Sequence, residues 1–114
     1  MNKDRRKELR EQYKTRKVVG GIYRIVNGEN GRFYLQSTDD MQATRNWFGT
    51  FHVFESCSLP PLQGDWKQYG AQVFSLEELD HLEKGSEQTR EEFQMDLKTL
   101  LEMWDEKLPK ENRY

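Results

Sequence analysis

Residues 18–37 decide the fold of this chain: they read VVGGIYRIV at 18–26, NGENG at 27–31 and RFYLQS at 32–37. The first and last of these stretches are rich in β-branched and aromatic residues, which favour strands. The stretch between them is rich in asparagine and glycine, as tight turns are. The whole segment therefore predicts a β-hairpin.

The register of that hairpin places its two tyrosines. If Val26 pairs with Gly31, residues 27–30 form a four-residue loop, which is an allowed hairpin length. Tyr23 then lies directly opposite Tyr34. Because paired residues of an antiparallel ladder project from the same face, both phenol rings are expected on one side of the sheet.

The remaining elements follow from periodicity, caps and breakers. Residues 48–58 fit neither the helical nor the strand period. The predicted order is a helix over residues 4–15, the hairpin, a helix from 39–40 to about 47, a helix from 61–62 to 69, a strand over 72–79 and a long helix over 87–108. This order predicts a mixed α/β protein, in the sense of the α+β class, with a small three-stranded antiparallel sheet flanked by helices. We divide it into a basic N-terminal helix (1–16), the domain proper (17–108) and a tail (109–114).

Composition limits the class of protein. A chain of 114 residues suffices for one domain, and although only 34% of residues are hydrophobic, three Trp, six Phe and five Tyr can build a core. The single cysteine excludes an internal disulfide and a multi-cysteine zinc site. The sequence shows neither an apolar run of membrane-spanning length nor a signal peptide, so we expect a cytoplasmic protein without a membrane partner.

Charge is distributed unevenly along the chain. Residues 1–45 hold eleven Lys/Arg against six Asp/Glu, whereas residues 46–114 hold seven against fourteen. A basic surface suits the phosphates of DNA, although two helices with opposite solvated faces would give the same pattern. The candidate nucleic-acid-binding residues are Arg5, Arg6, Arg10, Lys14, Lys17, Arg24 and Arg32.

Two motifs carry a resemblance to a known family. Gly21-Ile22-Tyr23, followed after ten residues by Tyr34-Leu35-Gln36, resembles the GIY-YIG pair of the GIY-YIG nuclease superfamily. The stretch Leu62-Gln63-x-Asp65-Trp66-x-x-Tyr69-Gly70-x-x-x-Phe74 resembles a segment of a bacterial branch of that superfamily. The resemblance covers about residues 17–108. It implies a GIY-YIG endonuclease-like fold and metal-dependent hydrolysis of DNA phosphodiesters.

The same resemblance implies roles for individual residues. Tyr23 and Tyr34 would position the attacking water and the phosphate, and Arg45 would hold the phosphate. A glutamate of the last helix, which we assign to Glu102, would bind Mg²⁺ or Mn²⁺. Three positions depart from the family pattern: Thr44 stands where the arginine is usual, Gln36 where the last glycine is usual and Leu101 where the glutamate is usual.

These departures leave two functions open. The chain is either a hydrolase with several active-site positions replaced, or an inactive scaffold that binds DNA or a protein partner and needs no cofactor. In the second case Tyr23 and Tyr34 are half-buried strand aromatics, and Arg45 is a solvated helix residue. His52 is a candidate acid or base on the first reading and a surface histidine on the second.

Overall fold

A computed structural model describes residues 17–54 and 57–114. The predicted helix over residues 4–15 lies outside the described residues, and so do Arg5, Arg6, Arg10 and Lys14. The described elements are β1 (Val19–Asn27), β2 (Phe33–Thr38), α1 (Met41–Phe54), α2 (Pro60–Tyr69), a 3₁₀ turn (Ala71–Val73), β3 (Phe74–Glu83) and α3 (Arg90–Lys107). The predicted order of hairpin, two helices, strand and long helix is confirmed. Within these residues no helix is long and apolar enough to span a membrane.

The sheet has three antiparallel strands in the order β2-β1-β3, so β1 is central. The predicted register of the hairpin is wrong by two residues, because Val26 pairs with Phe33 rather than with Gly31. Tyr23 therefore lies opposite Gln36, and Tyr34 lies opposite Ile25. Since side chains alternate with a period of two, a slip of two residues keeps both tyrosines on the same face. We call it the tyrosine face.

The turn explains the slip. The amide of Asn27 donates to the carbonyl of Arg32 (2.8 Å), so the loop spans residues 28–31 and closes one residue later than predicted. Inside the loop, Asn27 Oδ1 accepts from the amide of Glu29 (2.9 Å). Gly31 has a φ of 75°, which favours glycine at this position. The side chain of Asn27 thus organises a turn that composition alone could not place to the residue.

The third strand begins and ends later than residues 72–79, because a 3₁₀ turn follows Gly70 and occupies Ala71–Val73. β3 also contains a bulge. Ile22 pairs with Asp80 while the next residue, Tyr23, pairs with Glu78, so Leu79 has no partner on β1. An extra residue reverses the alternation of side chains along a strand. Glu78 therefore lies on the tyrosine face, and Asp80 lies on the opposite face.

The helices cover both faces of the sheet. On the tyrosine face, α1 and α2 bury a core around Ile25, Met41, Leu62, Trp66 and Phe74, in which the Trp66 and Phe74 rings stack with centroids 4.5 Å apart. This packing fixes α1 next to the tyrosines, where its side chains can reach β3.

The opposite face of the sheet carries α3, which buries Phe93 and Leu97. Trp104 of that helix donates its indole N–H to Asp80 (3.0 Å). Thr89 caps the helix: its hydroxyl oxygen accepts from the amide of Glu92 (3.1 Å), and its hydroxyl donates to the Glu92 carboxylate (3.1 Å). The helix therefore begins at Arg90, three residues later than predicted.

Two glycines let β1 lie close to both of its neighbours. A Cβ on Gly21 would lie 1.9 Å from the carbonyl oxygen of Asp80, and one on Gly20 would lie 2.4 Å from that of Thr38. Neither distance is sterically possible, and in both cases the obstructing atom belongs to the backbone. Gly21, which begins the first motif, and Gly20, which precedes it, are therefore required by the sheet itself.

The last residues return to the outer edge of β2. The amide of Phe33 donates to the carbonyl of Asn112 (2.8 Å), and the amide of Tyr114 donates to the carbonyl of Phe33 (3.0 Å). The Tyr114 hydroxyl donates to Asp65 (2.7 Å) and accepts from the side chain of Asn27 (3.1 Å). Residues 109–114 therefore pack on the hairpin turn and on α2.

Candidate active site

A row of three side chains crosses the tyrosine face. Gln36 of β2, Tyr23 of β1 and Glu78 of β3 are consecutive partners in the two ladders. Tyr23, in the middle, is only 7% exposed. Burial, together with the charge of Tyr34, raises the pKa of Tyr23 to about 12. Its hydroxyl therefore stays protonated at neutral pH and can donate a hydrogen bond far more readily than it can accept a proton.

Gln36 fills the space beside the two phenols. Its side-chain amide donates to the Tyr34 hydroxyl (3.3 Å), and its side-chain oxygen accepts from the amide of Ser37 (3.0 Å). Because Gln36 is the direct partner of Tyr23, its side chain lies where the glycine of the family pattern would leave open space. The site is therefore narrower than the resemblance implies.

Thr44 and Arg45 diverge on α1, as neighbours on a helix must, since each residue rotates by about 100°. Thr44 is 8% exposed, and its hydroxyl lies 2.8 Å from the Thr38 hydroxyl and 3.1 Å from the carbonyl oxygen of Asp40. The position expected for the family's arginine thus faces inward and holds the start of the helix. Arg45 points towards β3 instead.

Arg45 makes a two-pronged ion pair with Glu78. Its Nε lies 2.7 Å from Oε2 and its Nη2 lies 2.6 Å from Oε1, and Nη1 donates to Gln42 (3.2 Å). Such bidentate pairs are geometrically specific and stronger than single contacts. Chiefly because of Arg45, and also of His81, the pKa of Glu78 falls to about 2. The carboxylate is therefore ionised throughout the neutral range.

His81 completes the cluster. Its Nε2 lies 2.7 Å from Glu78 Oε1, and its ladder partner is Gly21. In a regular strand, residues three apart point to opposite faces, so the strand pattern does not group His81 with Glu78. The bulge at Leu79 puts both on the tyrosine face. Sequence reasoning assigned no role to either residue, and the one available signal was a pair of glutamates inside a predicted strand.

The other predicted site residues lie elsewhere. Glu102 is exposed on α3, which covers the face opposite the tyrosines, so the structure does not bring it to Tyr23. Arg24 also lies on that face and pairs with Glu77 (2.5 Å). Arg32 stacks on the ring of Tyr114, 4.4 Å from its centroid, at the turn end of the hairpin.

His52 of α1 lines an open groove with Phe48 and Phe74. That groove lies at the Phe74 end of β3, away from the His81 end where the ion-paired cluster sits. His52 is thus not part of the cluster.

A divalent metal does not fit the arrangement as it stands. Among residues 17–54 and 57–114, no three His, Cys, Asp or Glu residues come together in a group that could hold a metal ion. Glu78, the carboxylate beside Tyr23, already has both oxygens bonded to Arg45 and one of them also to His81. Mg²⁺ binds oxygen ligands such as carboxylates, and here the guanidinium of Arg45 occupies both oxygens of Glu78.

Next to this cluster, an open groove of about 540 Å³ runs between the start of β1 and the start of α1. Among the described residues that line it are two exposed cationic side chains, Lys17 and Arg45. Lys17 is 73% exposed and lies 3.8 Å from Glu83. The groove-lining residues are Lys17, Val18, Val19, Asp40, Met41, Gln42 and Arg45. We call this feature the α1 groove.

Two solved structures are similar to this chain. The catalytic domain of intron endonuclease I-TevI, in a glutamate-to-alanine variant, superposes with a TM-score of 0.60 and 22% identity over 84% of this chain and 91% of that one. The catalytic domain of homing endonuclease I-TevI superposes with a TM-score of 0.56 and 24% identity over 83% and 95%, respectively. No protein-family model and no curated protein matches the sequence. The fold implied by the two motifs is thus confirmed, and this chain has the GIY-YIG endonuclease fold.

Proposed function

We propose that this chain is a nuclease-fold module that binds nucleic acid through its phosphates and does not cleave it. The observation that carries the proposal is the closed ion pair between Arg45 and Glu78 beside Tyr23. The groups that would do the chemistry bind one another, while an adjoining groove offers exposed positive charge.

Hydrolysis needs a base, and Tyr23 is a poor one. With a pKa of about 12, the phenol is ionised in fewer than about one molecule in 10⁴ at neutral pH. The family resemblance implies a metal ion that would offset the high pKa of the phenol. However, Glu78 is ion-paired with Arg45, and Glu102 lies on the helix that covers the opposite face of the sheet. Gln36 further reduces the space between the tyrosines.

Binding of phosphate is supported by the α1 groove. Lys17 opens the described part of the chain, and in the sequence it ends a run of eight Lys/Arg within residues 1–17. We propose that Lys and Arg residues of the segment 1–16 add phosphate contacts while Lys17 contacts a phosphate at the groove. Contacts of this kind release counterions and make affinity fall with salt.

The first test measures how DNA binding depends on salt concentration. A fluorescent DNA duplex should bind with a logarithmic affinity that falls linearly with the logarithm of salt concentration, and Lys17→Gln should reduce that slope by about one. Lys98→Gln, an exposed lysine on α3, is the matched control and should leave the slope unchanged. Absence of binding, or binding that ignores salt, refutes the proposal.

The second candidate is metal-dependent hydrolysis of DNA, which the family resemblance implies. It is favoured by the convergence of Tyr23, Arg45, Glu78 and His81 on one face. Supercoiled plasmid incubated with the protein and Mg²⁺ or Mn²⁺ distinguishes the two. Nicking that disappears in Tyr23→Phe would establish the enzyme and overturn the non-catalytic proposal, whereas intact plasmid in every condition would remove the candidate.

A further inference from the structure

The two outer edges of the sheet are treated differently. The edge of β2 is bridged by residues 109–114, through the pairing of Phe33 with Arg113. β3 forms the other margin, and none of the strands in the described part of the chain pairs with its outer side. A ten-residue strand with unpaired amide and carbonyl groups is a template for another extended segment.

An apolar groove runs beside that edge. It has a volume of about 520 Å³ and lies between α1 and the first residues of β3. Phe74 and Leu76 pair with Asn27 and Ile25, which places them on the tyrosine face with the groove. Since alternate side chains of a strand point to one face, a segment added beside β3 would place every second side chain against this groove. The lining residues are Phe48, Gly49, His52, Phe74, Ser75 and Leu76.

Gly49 keeps the groove open on the helix side. It lies within α1, and a Cβ built on it would meet no atom of the described residues within 4 Å. Because Gly49 also lines the groove, a larger side chain at this position has room and is expected to narrow the groove. This gives a means of closing the groove while leaving the strand edge intact.

The charge of β3 selects the occupant. The strand carries Glu77, Glu78, Asp80 and Glu83 and has no Lys or Arg. Glu78 is closed by Arg45, and Asp80 accepts from Trp104. Glu77 and Glu83 contact Arg24 and Lys17, yet their side chains remain 45% and 53% exposed and can accept a further cation. A full-length antiparallel pairing of β3 with the β3 of a second copy would set acidic residues against acidic residues, which is unfavourable. An extended segment with an apolar side chain at the groove end and basic side chains towards Glu83 is complementary.

We propose that β3 and its groove bind an extended basic peptide of a partner protein as a fourth strand of the sheet. One apolar side chain enters the groove between Phe48 and Leu76, and Lys or Arg residues lie beside Glu77 and Glu83. Main-chain hydrogen bonds supply affinity, and the groove with its acidic continuation supplies selectivity. The proposal does not rest on the proposed nucleic-acid function, because the peptide does not enter the α1 groove, although its basic end lies beside Glu83, the residue that Lys17 of that groove contacts.

The experiment uses the full chain and a fluorescein-labelled ten-residue peptide with Leu and Val at one end and alternating Lys and Thr at the other. Saturable binding, with amide chemical-shift changes and slowed hydrogen exchange along β3, is expected. Gly49→Leu should weaken binding at least ten-fold. Gly64→Leu is the matched control, since a Cβ there also meets nothing within 4 Å and α2 does not line the groove; its affinity should equal that of the wild type.

Three outcomes would overturn the proposal. Binding that is equal in Gly49→Leu and the wild type would place the peptide elsewhere, such as on the acidic surface of α3. Equal binding of a peptide with Glu in place of Lys would remove the charge argument. A concentration-dependent dimer that Gly49→Leu abolishes would assign the edge to a second copy. Circular dichroism confirms that both variants fold, so a loss of binding reports the groove.

Discussion

Replacing Glu78 by glutamine should remove a defined part of the acid sensitivity of this fold. Arg45 and His81 hold the pKa of Glu78 at about 2, below its ordinary value of 4.5. A carboxyl group with a lowered pKa stabilises the folded state above its unfolded pKa, and that stabilisation is lost as pH falls towards the folded value. The window for Glu78 is therefore from about pH 5 down to about pH 2.

The size of the effect follows from the shift and from exposure. At about 1.4 kcal/mol per unit, the shift sets a ceiling of roughly 3 kcal/mol. The Glu78 side chain is 25% exposed and its partner Arg45 is 44% exposed, so solvent screens the pair. Exposed pairs contribute up to about 1 kcal/mol, and we expect about 1–2 kcal/mol for this partly covered one. For a domain of this size that corresponds to a difference in Tm of about 5–10 °C.

The assay is thermal unfolding of the wild type and Glu78→Gln at half-unit steps from pH 7 to pH 2. The difference in Tm should be constant near neutrality, shrink from about pH 5 and approach zero only near pH 2, because Glu78 of the folded wild type becomes neutral only there. Glu77→Gln is the matched control. It alters the neighbouring glutamate, whose partner Arg24 lies on the other face, and should change Tm by less.

One result would refute the reasoning. If the wild type and Glu78→Gln unfold at the same temperature across the whole range, the contact with Arg45 contributes nothing to stability. The interpretation of the site as closed by an ion pair would then fail, and with it the main argument against catalysis.

Three further predictions test packing by urea unfolding. Gly21→Ala should cost more than about 3 kcal/mol, or prevent folding, because its Cβ would overlap the Asp80 carbonyl oxygen; near-wild-type stability would show that the strands separate easily. Gly49→Ala, the same substitution in an open helical position, should stabilise by roughly 0.5–1 kcal/mol; destabilisation would show that a methyl group at this position meets an obstruction. Tyr114→Phe should cost about 1–2 kcal/mol, because it deprives Asn27 and Asp65 of a partner; an unchanged midpoint would mean that the C-terminal residues are not docked in solution.

The fold was largely predictable because its signals are local. Alternating β-branched and aromatic residues around an Asn-Gly turn give the hairpin, and the helical spacing from Phe93 to Leu108 gives α3. The exact pairing of the two hairpin strands was not predictable, because shifting the loop from residues 27–30 to 28–31 keeps every side chain on the same face of the sheet. Only the hydrogen bonds of Asn27 distinguish the two registers.

The candidate site was less predictable because it depends on a bulge. The resemblance named Tyr23 and Tyr34 from the two motifs, and it named Arg45 as the arginine one place beyond the position that the spacing gives, Thr44. Glu78 and His81 could not, because the extra residue Leu79 brings them to one face against the normal alternation of a strand. The choice of Glu102 followed a count along the last helix, and that count could not reveal which side of the sheet the helix covers.

The tight fit of β1 between its neighbours also affects how the first motif should be interpreted. Without Gly20 and Gly21 the central strand could not approach β2 and β3. A chain of this fold that does not cut DNA would therefore still need both glycines in order to fold. The motif glycines that make such a chain recognisable are thus a requirement of sheet packing, and they would be kept whether or not the protein is an enzyme. Evidence of catalysis has to be sought at positions that the sheet leaves free to vary.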